Sequence, residues 1–363
     1  MATPRASLVQ TGPTEVRCKG RRLIYFGGSD YLRLGWHPRV LSAAVDTLVT
    51  SGLNVAASRT TTGNHPLYPL LENALARFFK FPAATLASCG YTAPLIAAQA
   101  IKGQYTDVLV SDKAHGCVQD AATLTGARVQ LFPHGDSTAL KARHKSISKK
   151  GRVAVFTDGL SPLDGTLPPL AEYLALLPRN GLLLVDDAHG AGTLGKHGRG
   201  SLELCGLRDP RVVLTLTMSK ALGAYGGAVL STAAFQERLQ KQSRAYAGNT
   251  PLPLPCAAAA LEALRVLREE GDALRTQLQA NLLFVRESLR DKYPEWTARP
   301  GPTMSIVPPN AKAAEMMRKA LLKRGIYPTL IQYAAGPAKQ FFRFAISSAH
   351  TPRQLLALCE VIR

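Results

Sequence analysis

Seven short apolar runs, spaced by helical patterns, constrain this chain more than any other feature. They are "ATLAS" (84–88), "DVLVSD" (107–112), "RVQLF" (128–132), "VAVFTD" (153–158), "LLLVDD" (182–187), "VVLTLT" (212–217) and "GAVLS" (227–231). Each has the length of a strand and is bounded by polar or turn residues. Helical patterns such as "YPLLENALARFFKF" (68–81) and the stretch near 169–177 separate most of them. That alternation implies an α/β fold with a mostly parallel central sheet flanked by helices. "GAVLS" follows the preceding helix start by only a few residues, so one edge strand is expected to run antiparallel.

The texture changes at "NTPLPLPCAAAA" (249–260), where prolines give way to an Ala-rich segment and then a helical pattern to about 290. This is expected to be one long connecting helix into a smaller C-terminal α+β domain, with strands in "TMSIVPP" (303–309) and "FFRFAIS" (341–347) and a final helix. The expected organisation is an N-terminal segment 1–45, a large domain 46–250, and the connecting helix with the small domain 251–363.

Several function classes fall away. No apolar run approaches the ~20 residues a membrane helix needs, and the N-terminus is basic without a signal-type apolar core. Six scattered cysteines with no CxxC pair read as reduced thiols, so neither a disulfide framework nor a metal site is expected and the cytoplasm is the expected location. The net charge of +19 favours acidic partners, such as phosphorylated ligands. The densest basic run, "KARHKSISKKGR" (141–152), has no interleaved aromatics and reads as a solvated helix and loop, not a nucleic-acid surface. No GxGxxG follows an early strand, which argues against a dinucleotide-dependent dehydrogenase.

The chemistry gathers behind two strands. "LLLVDDAHGAG" (182–192) ends a buried run on Asp186, Asp187 and His189, and ligands in open α/β sheets bind just beyond such carboxyl ends. "LTLTMSKALGAYGG" (214–227) runs a strand into Lys220, followed by Gly223, Gly226 and Gly227. Alone, Lys220 reads equally as a surface lysine opening a helix or as a partly desolvated amine able to form a Schiff base. Paired with an acid suited to a pyridinium nitrogen, it matches a pyridoxal phosphate site.

With "ASRTTTGNHPLYPLLE" (57–72), "VDDAHGAGTLGKHGRGS" (185–201) and "SKALGAYGG" (219–227), nearly the whole chain resembles the α-oxoamine synthases, pyridoxal phosphate enzymes of fold type I. The resemblance implies that Lys220 bonds the cofactor, Asp186 faces the pyridine nitrogen, His189 bonds the phenolic oxygen and His115 stacks on the ring. Read without it, His115 is a polar residue starting a helix. Gly90 and Tyr91 in "ASCGYTAP", with Thr217, match the phosphate-binding positions. Thr250 matches a threonine reaching the phosphate from a neighbouring subunit, which implies a homodimer with shared active sites. Arg343 matches the clamp for the amino-acid carboxylate. The implied reaction joins an amino acid to an acyl thioester with loss of carbon dioxide. The VDDAHG–GRGS form is most similar to members that join L-alanine to a pimeloyl thioester, of coenzyme A or acyl carrier protein, in biotin biosynthesis.

Some positions depart from the family pattern. "NDYLGL" is "SDYLRL" here, placing Ser29 where an asparagine helps hold the substrate, and "EGVFSMDGD" is "DGLSPLDGT" (158–166), with Pro162 for a serine. Cys117 replaces the serine of "HAS", Tyr68 replaces a histidine, and the N-terminus has no clear equivalent of the family's arginine. The alternatives kept open are therefore the same chemistry on glycine or serine with another acyl-CoA, and a catalytically weak cofactor-binding paralogue.

Overall fold

The computed structural model describes residues 7–147, 151–332 and 338–363. An antiparallel three-stranded sheet opens the chain: β1 (Val9–Gly12), β2 (Glu15–Cys18) and β3 (Arg21–Ile24). The central sheet follows: β4 (Ala83–Ala87), β5 (Asp107–Ser111), β6 (Arg128–Phe132), β7 (Val153–Asp158), β8 (Leu182–Asp186), β9 (Val212–Thr217) and β10 (Gly227–Ser231). Its order is β4-β10-β9-β8-β7-β5-β6. Every residue of β5, β7, β8 and β9 is buried, because helices cover both faces and alternate side chains enter two apolar layers. Leu109, Val155 and Leu183 point into one layer; Val110, Phe156 and Leu184 point into the other.

The antiparallel strand is not at an edge, as the sequence led one to expect. β10 is antiparallel to both β9 and β4 and lies between them. The tight return from β9 needs an antiparallel neighbour, and β4 then closes the free side of β10.

The expected connecting helix is two helices, Leu254–Glu269 and Gly271–Ser288, which break at Glu270 (φ −117°, ψ −7°). Gly271 permits the close approach of Arg275, whose Nη1 lies 2.8 Å from where a Cβ would stand. The first helix packs on the helices Pro38–Ser51 and Leu67–Phe79, and the second packs on the C-terminal helix Pro352–Ile362. The small sheet, β11 (Thr303–Ile306), β12 (Leu330–Ile331) and β13 (Phe341–Ala345), is antiparallel in the order β11-β13-β12. The N-terminal segment is laced to it by Ile24 N to Gly325 O (2.8 Å) and Ala345 N to Phe26 O (2.7 Å). Of the basic run 141–152, residues 141–145 finish the helix Ser137–Lys145 and residues 148–150 lie outside the described residues.

Candidate active site

Four neighbouring parallel strands, β5, β7, β8 and β9, end on one side of the sheet and deliver the site. Beyond β5, His115 caps the helix Gly116–Leu124, its Nδ1 accepting from Cys117 N (3.3 Å). Asp158 ends β7 and Asp186 ends β8, directly in register. The Asp158 carboxylate accepts from the His115 backbone N–H (3.0 and 3.3 Å) and so fixes where that imidazole starts. Asp186 accepts from the Thr215 hydroxyl (3.1 Å) and from the Cys117 thiol (3.6 Å). Lys220 follows the end of β9 by three residues, and its carbonyl accepts from Gly223 N (2.8 Å) in a tight turn.

These charges are set against one another. Burial raises the pKa of Asp186, opposed by the charge of Lys220. Burial and then the Asp186 charge raise Asp158 well above the carboxylate range. Two carboxylates side by side in a dry site oppose each other's ionisation, and both are raised, Asp158 well above its ordinary value. Burial lowers Lys220 to about 8 against the pull of Asp186, leaving a fraction of its amine free near neutral pH. Burial also lowers His115, and His189 lies well below the usual histidine range, neutral in the site.

His189 shares a 2.6 Å hydrogen bond through Nδ1 with the Tyr31 hydroxyl. Arg343, on β13, lies close enough for its charge to act on Tyr31, His189 and Lys220, and its Nε and Nη2 are buried with no partner among the described residues. Ser29 lies two residues before Tyr31, its carbonyl accepting from Tyr31 N (3.0 Å). Asp187 turns the other way. Its carboxylate accepts from Ser201 N (2.7 Å) and pins the return of the loop that follows β8.

The third wall is a helix N-terminus. Gly90 and Tyr91 precede the helix Thr92–Ala100, whose first N–H groups make a ready anion site. A Cβ on Gly90 would lie 2.5 Å from the Thr217 Cβ, so only glycine lets that hydroxyl approach. Thr217 Oγ1 shares a 2.7 Å bond with Ser219 Oγ. The Tyr91 ring meets His115 edge-on, centroids 6.0 Å apart. Thr250 is exposed on the loop before the helix Leu254–Glu269, while its neighbours Asn249 and Pro251 line a small cavity with Ser88 and Thr92.

The structure thus brings together Lys220, Asp186, His115, His189, Gly90, Tyr91, Thr217 and Arg343, with Ser29 alongside and Thr250 on the rim. Sequence reasoning missed Tyr31 and Asp158. Both stood in motifs already singled out, "SDYLRL" and "DGLSPLDGT", but their reach across the fold is tertiary. Of the departures, Tyr68 is anchored by its hydroxyl to Leu252 O (3.0 Å), Pro162 is buried, and Cys117 lies 2.9 Å from His115 Nδ1. Among the described residues, no cluster of three or more His, Cys, Asp or Glu could hold a metal ion.

The donor set fits pyridoxal phosphate. A buried acid whose other contacts are only a hydroxyl and a thiol suits a protonated ring nitrogen. A lysine lowered to about 8 suits an aldehyde, and the Gly90–Thr217 cradle suits a phosphate. Such a sheet and site define a pyridoxal phosphate enzyme of fold type I. The family described as aminotransferase class I and II matches residues 21–362. The 8-amino-7-oxononanoate synthase of Stutzerimonas stutzeri is 35% identical over 363 residues, covering 99% of this chain and 92% of the relative. That of Methylobacillus flagellatus is 33% identical over 349 residues, covering 96% and 88%. Among solved structures, Sphingomonas wittichii serine palmitoyltransferase superposes with a TM-score of 0.90 at 26% identity, covering 98% of this chain and 90% of that one. The 8-amino-7-oxononanoate synthase of Francisella tularensis gives 0.78 at 26% identity, covering 94% and 96%. The chain belongs to the α-oxoamine synthase branch of the aminotransferase class I and II family, the pyridoxal phosphate-dependent acyltransferases.

Proposed function

We propose that this protein condenses L-alanine with a pimeloyl thioester, releasing carbon dioxide and the free thiol and forming 8-amino-7-oxononanoate for biotin synthesis. The observation that carries the reading is the pairing of Lys220, lowered to about 8, with a neighbouring buried Asp186, within the field of Arg343, whose Nε and Nη2 are buried without partners among the described residues. The names of the curated relatives supply the product, 8-amino-7-oxononanoate, and the motif resemblance supplies alanine and the pimeloyl donor.

Bound pyridoxal phosphate supplies an aldehyde for amine capture and an electron-accepting ring. Lys220 would hold it by its aldehyde, and the lysine Nζ would serve as base for the α-proton of the amino acid, a task suited to an amine lowered to about 8. Asp186 would favour a proton on the ring nitrogen. His189, neutral and held by Tyr31, would bond the ring oxygen. Gly90, Tyr91 and Thr217 would hold the phosphate, and Arg343 would take the substrate carboxylate, for which a planar guanidinium is suited. His115, fixed by Asp158, orients the acyl carbonyl.

The reading includes a homodimer in which Thr250 reaches the partner's phosphate. The helix Pro38–Ser51 leaves Leu41, Val45, Leu48 and Val49 exposed at helical spacing, with Leu53 beyond it. A contiguous apolar stripe of that kind suits a second copy. Six free cysteines accord with a reducing compartment, the cytoplasm. The test is turnover of alanine, glycine and serine against pimeloyl, acetyl and palmitoyl thioesters, on coenzyme A and on carrier protein, with mass determined by ultracentrifugation. Alanine with the pimeloyl donor should give the highest kcat/KM. Preference for serine with palmitoyl-CoA would replace this substrate pair with that of the structural neighbours.

A further inference from the structure

Arg33 lies in the left-handed region (φ 57°, ψ 29°), where a residue with a side chain is strained by about 1–2 kcal/mol. The resemblance pattern has glycine there, the residue that takes this conformation without strain. The arginine is only 7% exposed. Its Nε is buried without a partner, and among the described residues its guanidinium makes no hydrogen bond or ion pair. A buried cation with no hydrogen-bonded partner, offset mainly by the field of Asp30, is costly. A chain that accepts both the strain and the burial places a charge there for something it does not itself contain.

The surroundings narrow what that is. Asp30 is the nearest acid, yet its Oδ2 accepts from Gly35 N (3.1 Å) and its Oδ1 is buried unpartnered. Burial lifts Asp30 to about 6, against the field of Arg33. Gly28 keeps the backbone bare beside the guanidinium, since a Cβ there would lie 3.5 Å from Arg33 Nη1. The Tyr25 ring folds over Gly27 and Gly28, and its phenol feels both Arg33 and Arg343. His350, lowered to about 3 by burial and by Arg33, is neutral and adds no competing charge. Arg33 and the guanidinium assigned to the amino-acid carboxylate thus act on the same Tyr25 phenol. Arg33 shares part of the signature of Arg343, a buried Nε with nothing to bind.

We propose that Arg33 is a specificity-determining residue that receives a second substrate carboxylate, the one at the far end of the acyl chain. The inference rests on the proposed acyl-transfer reaction, which delivers a chain of this kind into the site. A planar guanidinium matches a terminal carboxylate bidentately. A plain alkyl end would leave the cation unpaired, so the same residue rejects monocarboxylic chains.

The test uses the cofactor-loaded enzyme and the variants Arg33→Gly and Arg33→Lys. Calorimetry measures binding of pimeloyl-CoA and of heptanoyl-CoA, equal in carbon count, without added amino acid, and steady-state assays then give KM for each. Arg33→Gly should weaken the pimeloyl donor roughly 10- to 100-fold, the worth of a charge-assisted pair, and leave heptanoyl-CoA within about twofold. Its melting temperature should hold or rise, because glycine relieves the left-handed strain. Arg33→Lys should fall between glycine and wild type.

Equal loss on both donors with a lowered melting temperature would assign Arg33 to structure and overturn the proposal. So would unchanged discrimination in Arg33→Gly. A loss confined to aspartate or glutamate as the amino acid would place the carboxylate on the other substrate and refute the acyl-chain assignment. Because binding is read without turnover, failure of the condensation with every donor is a separate result that removes the proposed function.

Discussion

Replacing Asp187 by asparagine should make the protein less sensitive to rising pH. Asp187 is wholly buried, and burial raises its pKa from 3.8 to about 7 despite the hydrogen bond from Ser201 N. In the folded state it keeps its proton to near neutrality, whereas the unfolded chain releases it near 3.8. Between those values the folded state binds more protons, so raising the pH drains stability. With these two pKa values, linkage makes the wild type lose about 2–3 kcal/mol between pH 5 and pH 8 from this group alone. In Asp187→Asn the amide oxygen still accepts from Ser201 N, and nothing titrates. Any constant offset from the buried NH2 group, of order 1–3 kcal/mol, cancels when the two pH values are compared. For 363 residues the difference corresponds to roughly 3 °C in melting temperature. Urea and thermal melts of cofactor-free wild type and variant at pH 5, 6, 7 and 8 measure it. If the two stability curves run parallel within about 0.5 kcal/mol, Asp187 is ionised throughout and the reasoning fails.

Lys220→Ala should lose the visible absorbance of the lysine-bound cofactor while far-ultraviolet circular dichroism stays unchanged; an unaltered spectrum would remove Lys220 from its role. Asp186→Asn should still bind the cofactor, more weakly, and lose at least about 100-fold in turnover, comparable to removing one electrostatic stabiliser from an active site. Tyr31→Phe leaves His189 Nδ1 buried without its 2.6 Å partner and should cost about 1–3 kcal/mol, seen as weaker cofactor binding in a fluorescence titration. Gly90→Ala puts a methyl group 2.5 Å from Thr217 Cβ. It should weaken pyridoxal phosphate by at least tenfold in equilibrium dialysis, with the parent aldehyde pyridoxal affected far less.

The strands were legible because burial on two faces forces continuous apolar runs. "VAVFTD", "VVLTLT" and "GAVLS" coincide with β7, β9 and β10 residue for residue; "RVQLF" also coincides with β6, an exposed edge strand marked by its flanking turns and not by burial. The break at Glu270 was not legible, because helix periodicity runs on through "REEGDALR" and a single glycine such as Gly271 is tolerated inside a helical pattern. The position of β10 was illegible for a related reason: a short return identifies an antiparallel strand and says nothing of what pairs on its other side. In the site, Lys220, Asp186 and His189 could be read because strand ends carry them. Tyr31 and Asp158 act only through partners 158 and 43 residues away, and no local pattern marks such distances.

That difference follows from how the sheet orders its ends. His115, Asp158, Asp186 and Lys220 follow β5, β7, β8 and β9, four adjacent strands taken in chain order. These four keep their chain order across the sheet, although β6, which comes between β5 and β7 in the chain, pairs on the far side of β5. The two carboxylates then fall in register, and their mutual repulsion is expected to separate their roles: Asp158, raised well above its ordinary value, holds the backbone of His115, and Asp186, opposed in its rise by Lys220, carries the charge. Substituting asparagine at 158 should test this separation. The amide oxygen still accepts from His115 N, and the group being replaced carries no charge at neutral pH. The pH midpoint of the bound cofactor's absorbance should therefore move little, while at Asp186 the same substitution removes the charge that holds Lys220 up near 8 and should shift that midpoint downward. A downward shift as large in Asp158→Asn would mean that both carboxylates are ionised beside Lys220, and that the sheet register does not separate them.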